Sequence, residues 1–207
     1  EHALAHVLGR DSDVTVTPGN PGIPNSTTQS PLNIDADLFV IGPEAPLVDG
    51  LADQLRAQGK TVFGPGVDGA QLEGSKAWMK DLLVEANVPT AKHGTFTNED
   101  EAIAFLSDMP LPYVIKTDGL AAGKGVIVTE SVNEAKDAIK NYLSGDAFGD
   151  AGKTVVIEEG LIGNEISILA ICDGTKAVPL APAQDYKRLL NNDEGPNTGG
   201  MGAYSPI

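Results

Sequence analysis

The sequence predicts an α/β segment with parallel strands, followed from about residue 110 by an α+β segment whose strands come as hairpins beside helices. Three observations carry this. First, an apolar run, an amphipathic helix pattern and a second apolar run follow one another between Ala36 and Gly64, the spacing of a parallel β–α–β unit. Second, "YVIK" and "GVIV" are separated by a short glycine-rich stretch, and "EISILAICDGTKAVPLAPA" carries a turn signal at Asp173-Gly174, both as expected of antiparallel hairpins. Third, 41% of the 207 residues are apolar but only 5% are aromatic, so the core must rest on Val, Ile, Leu and Ala.

Taken in order, "EHALAHVLGR" has helical character, with Leu4 and Leu8 four apart. Asp13 to Thr17 alternates like a short strand, and "PGNPGIPNSTTQSP" reads as loop. "ADLFVIG" is continuous and apolar, which predicts a strand buried on both faces. Leu47, Leu51 and Leu55, with Val48 and Ala52 beside them, predict one helix that stops at Gly59. "TVFG" is the next strand. "LEGSKAWMKDLLVEANVPT" predicts a helix started at Ser75 and ended before Pro89. "TNED" opens another with a capping-box-like acid, and "SVNE" is a capping box before "AKDAIKNYL". "TVVIEE" is a strand, and the tail from Asn191 is glycine-rich, polar and without periodicity. A domain boundary is expected near Leu72.

The balance of 29 acidic against 14 basic residues argues against a nucleic-acid surface. It leaves room for a small anion, which a few lysines and backbone N–H groups can hold. No run of about 18 apolar residues occurs, so no membrane span is expected. The N-terminus lacks the apolar stretch of a signal peptide, and a cytoplasmic location is expected. The lone cysteine, Cys172, cannot form an intrachain disulfide and is expected to be a buried, reduced thiol. His2, His6 and His93 show no metal-ligand spacing.

The stretch "YVIKTDGLAAGKGVIV" nearly spells a P-loop but fails as one. Only three residues separate Gly119 from Gly123-Lys124, Gly125 stands where the metal-binding Ser or Thr belongs, and a strand follows instead of a helix. What remains is a small-residue loop joining two antiparallel strands, with Lys124 able to reach an anion and Lys116 at the end of an apolar strand. The alternative is a hairpin with snorkelling lysines. Glu158 and Glu159 alternate along a strand and so face opposite ways, which excludes a catalytic carboxylate pair. One of them is placed to accept from an adenine amino group or a ribose hydroxyl, or else both are a solvated strand end; Glu165 begins the next strand. Asp185, Lys187 and Arg188 precede a Gly-Gly-x-Gly loop of the kind that exposes successive N–H groups to an anion, unless it is only a flexible surface loop.

"VIKTDGLAAGKGV", "VIEEGLIGNEIS", "QDYKR" and "GPNTGGMGAYSP", with "IGPEAPLVDGLAD", "FGP" and "LEGSKAWMKDLL" upstream, resemble the phosphoribosylamine–glycine ligase family of the ATP-grasp superfamily over nearly the whole chain. The resemblance implies a Rossmann-like N-terminal domain over residues 1–72 lacking its first strand. It implies a partial ATP-grasp domain over 73–207 with a lid at about 111–180. It implies ATP and Mg2+ (or Mn2+) as cofactors, glycine and 5-phosphoribosylamine as partners, no nucleic acid, no membrane and a monomer. The metal ligands are expected beyond Ile207, and residues 1–207 alone are expected not to turn over.

By the same resemblance Lys76 and Lys116 hold ATP phosphates, and the loop from Gly119 through Gly123 and Lys124 to Gly125 closes over them. Glu158, Glu159 and the backbone at Leu161 receive adenine, and Glu165 the ribose. Lys187 and Arg188 carry the catalytic role, with Asp185, Asn197, Thr198, Gly199, Gly200, Met201 and Gly202 around phosphoribosylamine or the acyl phosphate. Pro43 and Glu44, after a strand, take the second substrate. Two other readings stand beside this one: a different ATP-grasp carboxylate–amine ligase, or a non-catalytic nucleotide-binding remnant.

Overall fold

The computed structural model describes residues 1–120, 125–145 and 153–207, which fall into two units. The first comprises Glu1–Thr90 with Asp118–Leu120, and the second Ala91–Thr117 with the described residues from Gly125 to Ile207.

In the first unit, α1 (His2–Leu8) precedes a long irregular stretch. The strand expected over Asp13 to Thr17 is reduced to one bridge, Val16 to Ser26. β1 (Phe39–Val40) and β2 (Val62–Phe63) pair in parallel, with α2 (Glu44–Val48) and α3 (Leu51–Ala57) between them, so the β–α–β unit stands. Two expectations are corrected. The single helix is broken at Asp49-Gly50, where Gly50 adopts φ 81°, a left-handed conformation that glycine enters at no steric cost. The strand is not buried on both faces: Leu38 and Val40 are exposed, because among the described residues β1 has only β2 as a neighbour. Leu47, Ala52 and Ala70 form a small core with Ile41, Val48 and Val62 against it.

α4 (Val67–Gly74), which the periodicity did not reveal, leads directly into α5 (Lys76–Glu85). Ser75 starts α5 as expected, its Oγ accepting from the Trp78 N–H at 3.1 Å.

The second unit is built on an antiparallel sheet in the order β3 (His93–Phe96), β6 (Val155–Glu159), β4 (Tyr113–Thr117), β5 (Val126–Thr129). α6 (Glu99–Phe105) and α7 (Val132–Leu143) complete its core. α7 buries Ala135, Ala138, Ile139 and Tyr142, the i, i+3, i+4, i+7 set of one helical face. Those residues meet Tyr113 and Ile115 of β4 and Val155 and Ile157 of β6. Each fully buried Ile or Leu removes surface worth roughly 1.5–3 kcal/mol, so this cluster dominates the unit.

The helix caps follow the sequence with two refinements. α6 is capped by Asn98 rather than Thr97, its Oδ1 accepting from the Glu101 N–H at 3.1 Å. At α7, Ser131 Oγ accepts from the Glu134 N–H at 3.3 Å, but the return bond is relayed. The Ser131 N–H donates to Thr129 Oγ1 at 3.0 Å, and that hydroxyl donates to Glu134 Oε2. Ser131→Ala should therefore lower stability by about 1 kcal/mol, read as a shift of the urea midpoint at constant slope. An unchanged midpoint would show that the relay alone sustains the helix start.

β7 (Ala170–Cys172) and β8 (Ala177–Pro179) form the expected hairpin, its turn held by Asp173 Oδ1 accepting from the Thr175 and Lys176 N–H groups. Cys172 is exposed rather than buried, since β7 and β8 pair only with each other among the described residues. The tail is also corrected. It forms a hairpin of β9 (Gln184–Leu190) and β10 (Glu194–Tyr204), with the register broken on either side of Asn197.

Candidate functional site

In the first unit Pro43 precedes α2 in extended conformation and Glu44 lies in its first turn, just past the C-terminal end of β1. Lys76, the first residue of α5, donates to the Gly119 carbonyl at 2.6 Å. Beside it, Asp118 accepts from the Ala77 N–H at 3.1 Å and from the Ser75 hydroxyl at 3.0 Å. Asp118 was not singled out from sequence, where an acid before glycine reads as an ordinary turn residue.

In the second unit the strand register brings Lys116 and Glu158 together. Lys116 lies opposite Val156 and Val114 opposite Glu158, so the two charges are diagonal neighbours on one face of the sheet. Their ion pair spans 2.8 Å, with the Glu158 side chain only 7% exposed and that of Lys116 24%. Glu159 points the other way and accepts from the Lys92 N–H at 2.7 Å. Gly125 closes the root of the β4–β5 hairpin, its carbonyl accepting from the Thr117 N–H at 2.9 Å. Gly123 and Lys124 lie outside the described residues.

Most of the remaining candidates line a single open cavity of about 930 Å³. Leu161, Glu165, Asp185, Lys187, Arg188, Asn197 and Met201 all border it. Asp185 and Lys187 are two apart on β9 and so share a face. Ser167 bridges Ala183 antiparallel, and Glu165 and Asp185 each lie two residues further along. Lys187 is thereby set between two carboxylates: its Nζ bonds Glu165 Oε1 and stands 3.5 Å from Asp185 Oδ2. The hydrogen bond to Glu165 is the main reason the Lys187 pKa is raised, with the attraction of Glu165 and Asp185 adding to it. Lys187 is thus a fixed cation, suited to holding a phosphate and poorly suited to passing a proton.

The Asn197–Gly202 segment lies across from it. Asn197 pairs with Arg188 and Gly202 with Tyr186, and between them the chain leaves the ladder. Thr198 Oγ1 donates to the Lys187 carbonyl at 2.9 Å and accepts from the Gly200 N–H at 3.0 Å. A Cβ placed at Gly199, Gly200 or Gly202 would meet nothing within 4 Å among the described residues. Crowding by this part of the protein therefore does not account for these glycines. The cavity also takes in Asn164, Gln184, Asn191 and Asn192, amides that the sequence reading missed. Asn192, at φ 58°, was detectable only as a left-handed turn residue.

In the second unit a held lysine, an arginine and open glycine backbone suit a phosphorylated ligand; in the first, separately, a lysine at a helix start suits an anion. Among the described residues no three metal-ligating side chains stand together, and no helix is long and apolar enough to cross a membrane.

The family model for the phosphoribosylglycinamide synthetase N domain matches residues 1–73, and that for the phosphoribosylglycinamide synthetase ATP-grasp (A) domain matches 74–207. The chain is 48% identical over 224 residues to the phosphoribosylamine–glycine ligase of Xanthomonas campestris pv. campestris, covering all of this chain and 52% of that protein. That span exceeds this chain's 207 residues, so the relative carries residues within it that this chain lacks. The chain is 47% identical to the Escherichia coli K12 enzyme of the same name, again covering 52% of it. The crystal structure of phosphoribosylamine–glycine ligase from Thermotoga maritima superposes with a TM-score of 0.83 at 33% identity, covering all of this chain and 53% of that one. D-alanyl-alanine synthetase A from Vibrio cholerae shares the fold alone, at 18% identity and a TM-score of 0.58 over 72% of this chain and 45% of its own. The chain spans about half the length of the curated relatives it matches. Residues 1–73 and 74–207 together place the chain in the phosphoribosylglycinamide synthetase family, as its N domain followed by ATP-grasp domain sequence.

Proposed function

We propose that the protein carrying this chain is an ATP-dependent C–N ligase that joins glycine to 5-phosphoribosylamine, giving glycinamide ribonucleotide, ADP and phosphate in purine synthesis. The observation that carries this is the polar trough of the second unit, where Lys187 is held between Glu165 and Asp185 next to Arg188 and the open Gly199–Gly202 backbone. Family membership supports the choice of reaction.

A carboxylate is a poor electrophile because its charge must be overcome by the attacking amine. A glycine carboxylate oxygen attacks the terminal phosphorus of ATP, the bond to ADP breaks, and glycyl phosphate forms. The amine of phosphoribosylamine then attacks the acyl carbon, phosphate departs, and the nitrogen loses a proton. Such chemistry asks the protein mainly to position reactants and to neutralise phosphate charge. Lys187, Arg188 and the Asn197–Gly202 backbone do this for the acyl phosphate or phosphoribosylamine, with Asp185 and Glu165 holding Lys187. Glu165 also offers its second oxygen to ribose. Lys76, Lys116 and the loop from Gly119 to Gly125 with Lys124 serve the ATP phosphates. Glu158, Glu159 and the Leu161 backbone border adenine, and Pro43 and Glu44 the second substrate. Mg2+ or Mn2+ would neutralise charge on the phosphates, and no residue described here is assigned to hold it.

A monomeric, cytoplasmic enzyme without nucleic-acid or membrane partners completes the reading, as does a domain division at residues 72 and 73 with a lid at about 111–180. In the full-length protein, ADP release should require glycine and phosphoribosylamine together. ADP release with other amino acids but not with glycine would sink the substrate assignment.

A further inference from the structure

We propose that Asp118 is a positioning residue that clasps the start of α5 and thereby holds Lys76 where the nucleotide phosphates meet it. This rests on the reading above that Lys76 serves ATP.

Ser75, Lys76 and Ala77 are three consecutive residues at the start of a ten-residue helix. All three bond to Asp118 and Gly119, more than forty residues later in the chain. The Ser75 hydroxyl donates to Asp118 Oδ2 at 3.0 Å, and the Ala77 N–H donates to Asp118 Oδ1 at 3.1 Å. Between them Lys76 Nζ donates to the Gly119 carbonyl at 2.6 Å. Ser75 Oγ meanwhile accepts from the Trp78 N–H at 3.1 Å. The helix thus has an ordinary cap without Asp118. What the carboxylate adds is a fixed relation between residues 75–77 and 118–119.

Two consequences bear on nucleotide binding. A helix N-terminus with a lysine beside it would attract an anion. Here Asp118 takes up that place, with an N–H and a hydroxyl already donating to its carboxylate. A phosphate therefore meets the ammonium of Lys76 rather than the end of α5. That ammonium, a group with three donors, is anchored on the Gly119 carbonyl, which fixes its place. Holding a long, rotamer-rich side chain in advance removes part of the ordering that binding would otherwise have to supply.

The test uses the full-length protein with Asp118→Ala, Asp118→Asn, Lys76→Ala and the Asp118→Ala/Lys76→Ala pair. Affinity is titrated with a non-hydrolysable ATP analogue, without glycine or phosphoribosylamine, so the readout is independent of the ligation substrates. Asp118→Ala should weaken binding about tenfold, raise the KM for ATP alike and leave the KM for glycine unchanged. Asp118→Asn, which keeps an acceptor for the Ala77 N–H, should recover much of the loss. On a Lys76→Ala background, Asp118→Ala should change affinity no further. Asn98→Ala, which removes the cap of α6, controls for destabilisation alone.

Unchanged affinity in Asp118→Ala would overturn the proposal. So would a full additional loss on the Lys76→Ala background, or an equal loss in Asn98→Ala. No binding by the unsubstituted protein would overturn the ATP reading as well, which separates that failure from failure of the clasp.

Discussion

Lys116→Met should abolish the thermal protection that ATP gives the full-length protein and lower its unfolding free energy by about 2 kcal/mol, between the roughly 0–1 of exposed ion pairs and the roughly 3–5 of breaking buried ones. The middle value follows from the geometry, since Glu158 is almost wholly buried while Lys116 is about a quarter exposed. Methionine keeps the apolar stem and deletes the charge, so packing changes little. Without nucleotide, Lys116→Met/Glu158→Gln should regain most of the stability, because the carboxylate that needed a cation is gone. ATP should stabilise neither variant, so the difference between them should stay the same with nucleotide. ATP at a hundred times its dissociation constant stabilises a binding protein by about 2.7 kcal/mol, and that increment should be missing from both. Urea melts with and without ATP measure each quantity. A full ATP increment in Lys116→Met would remove Lys116 from the phosphate site and leave it a structural partner of Glu158.

Lys116 and Glu158 also show where sequence reasoning stops. Lys116 stood out as a charge ending an apolar strand, and Glu158 as one of two acids at the end of another. Their pairing depends on β4 lying beside β6 in one particular register, which no local pattern encodes. Short apolar, β-branched runs made β4, β5 and β6 legible, and cap chemistry at Ser75 and Ser131 made α5 and α7 legible. The break between α2 and α3 was hidden because Leu47, Leu51 and Leu55 keep a helical spacing across it, while Gly50 turns the backbone left-handed. β10 was hidden for the opposite reason. Glycine has no side chain to display a period, yet its N–H and C=O groups pair with β9 like any others. Asp118 could not be seen at all, because its partners lie 41 and 43 residues upstream. Of the cavity residues, Glu165, Asp185 and Lys187 stood out from local pattern and Asn197 through resemblance, and the fold brings them around one space.

Lys187→Met should lower kcat on the order of a hundredfold, the usual size of losing one donor to developing or transferred charge, while the protein stays folded because the side chain is nearly half exposed. The ionisation of Lys187 gives this a second, independent reading. Its pKa is raised chiefly by the hydrogen bond to Glu165. A raised lysine pKa means that the cation, and any stability tied to it, is fully present below the unfolded value of about 10.4 and is lost as pH rises through the higher folded value. If the cation is what holds the acyl phosphate, the alkaline limb of kcat follows Lys187. Glu165→Gln removes the largest cause of the shift and should move that limb to lower pH, whatever it does to the maximum rate. Lys187→Arg should move the limb up or remove it, since guanidinium stays charged. Asp185→Asn, which removes only a weaker attraction, should shift the limb less than Glu165→Gln. A limb that stays put in all three variants would mean that another group titrates, and Lys187 would then be a structural strut of the trough instead of its charge.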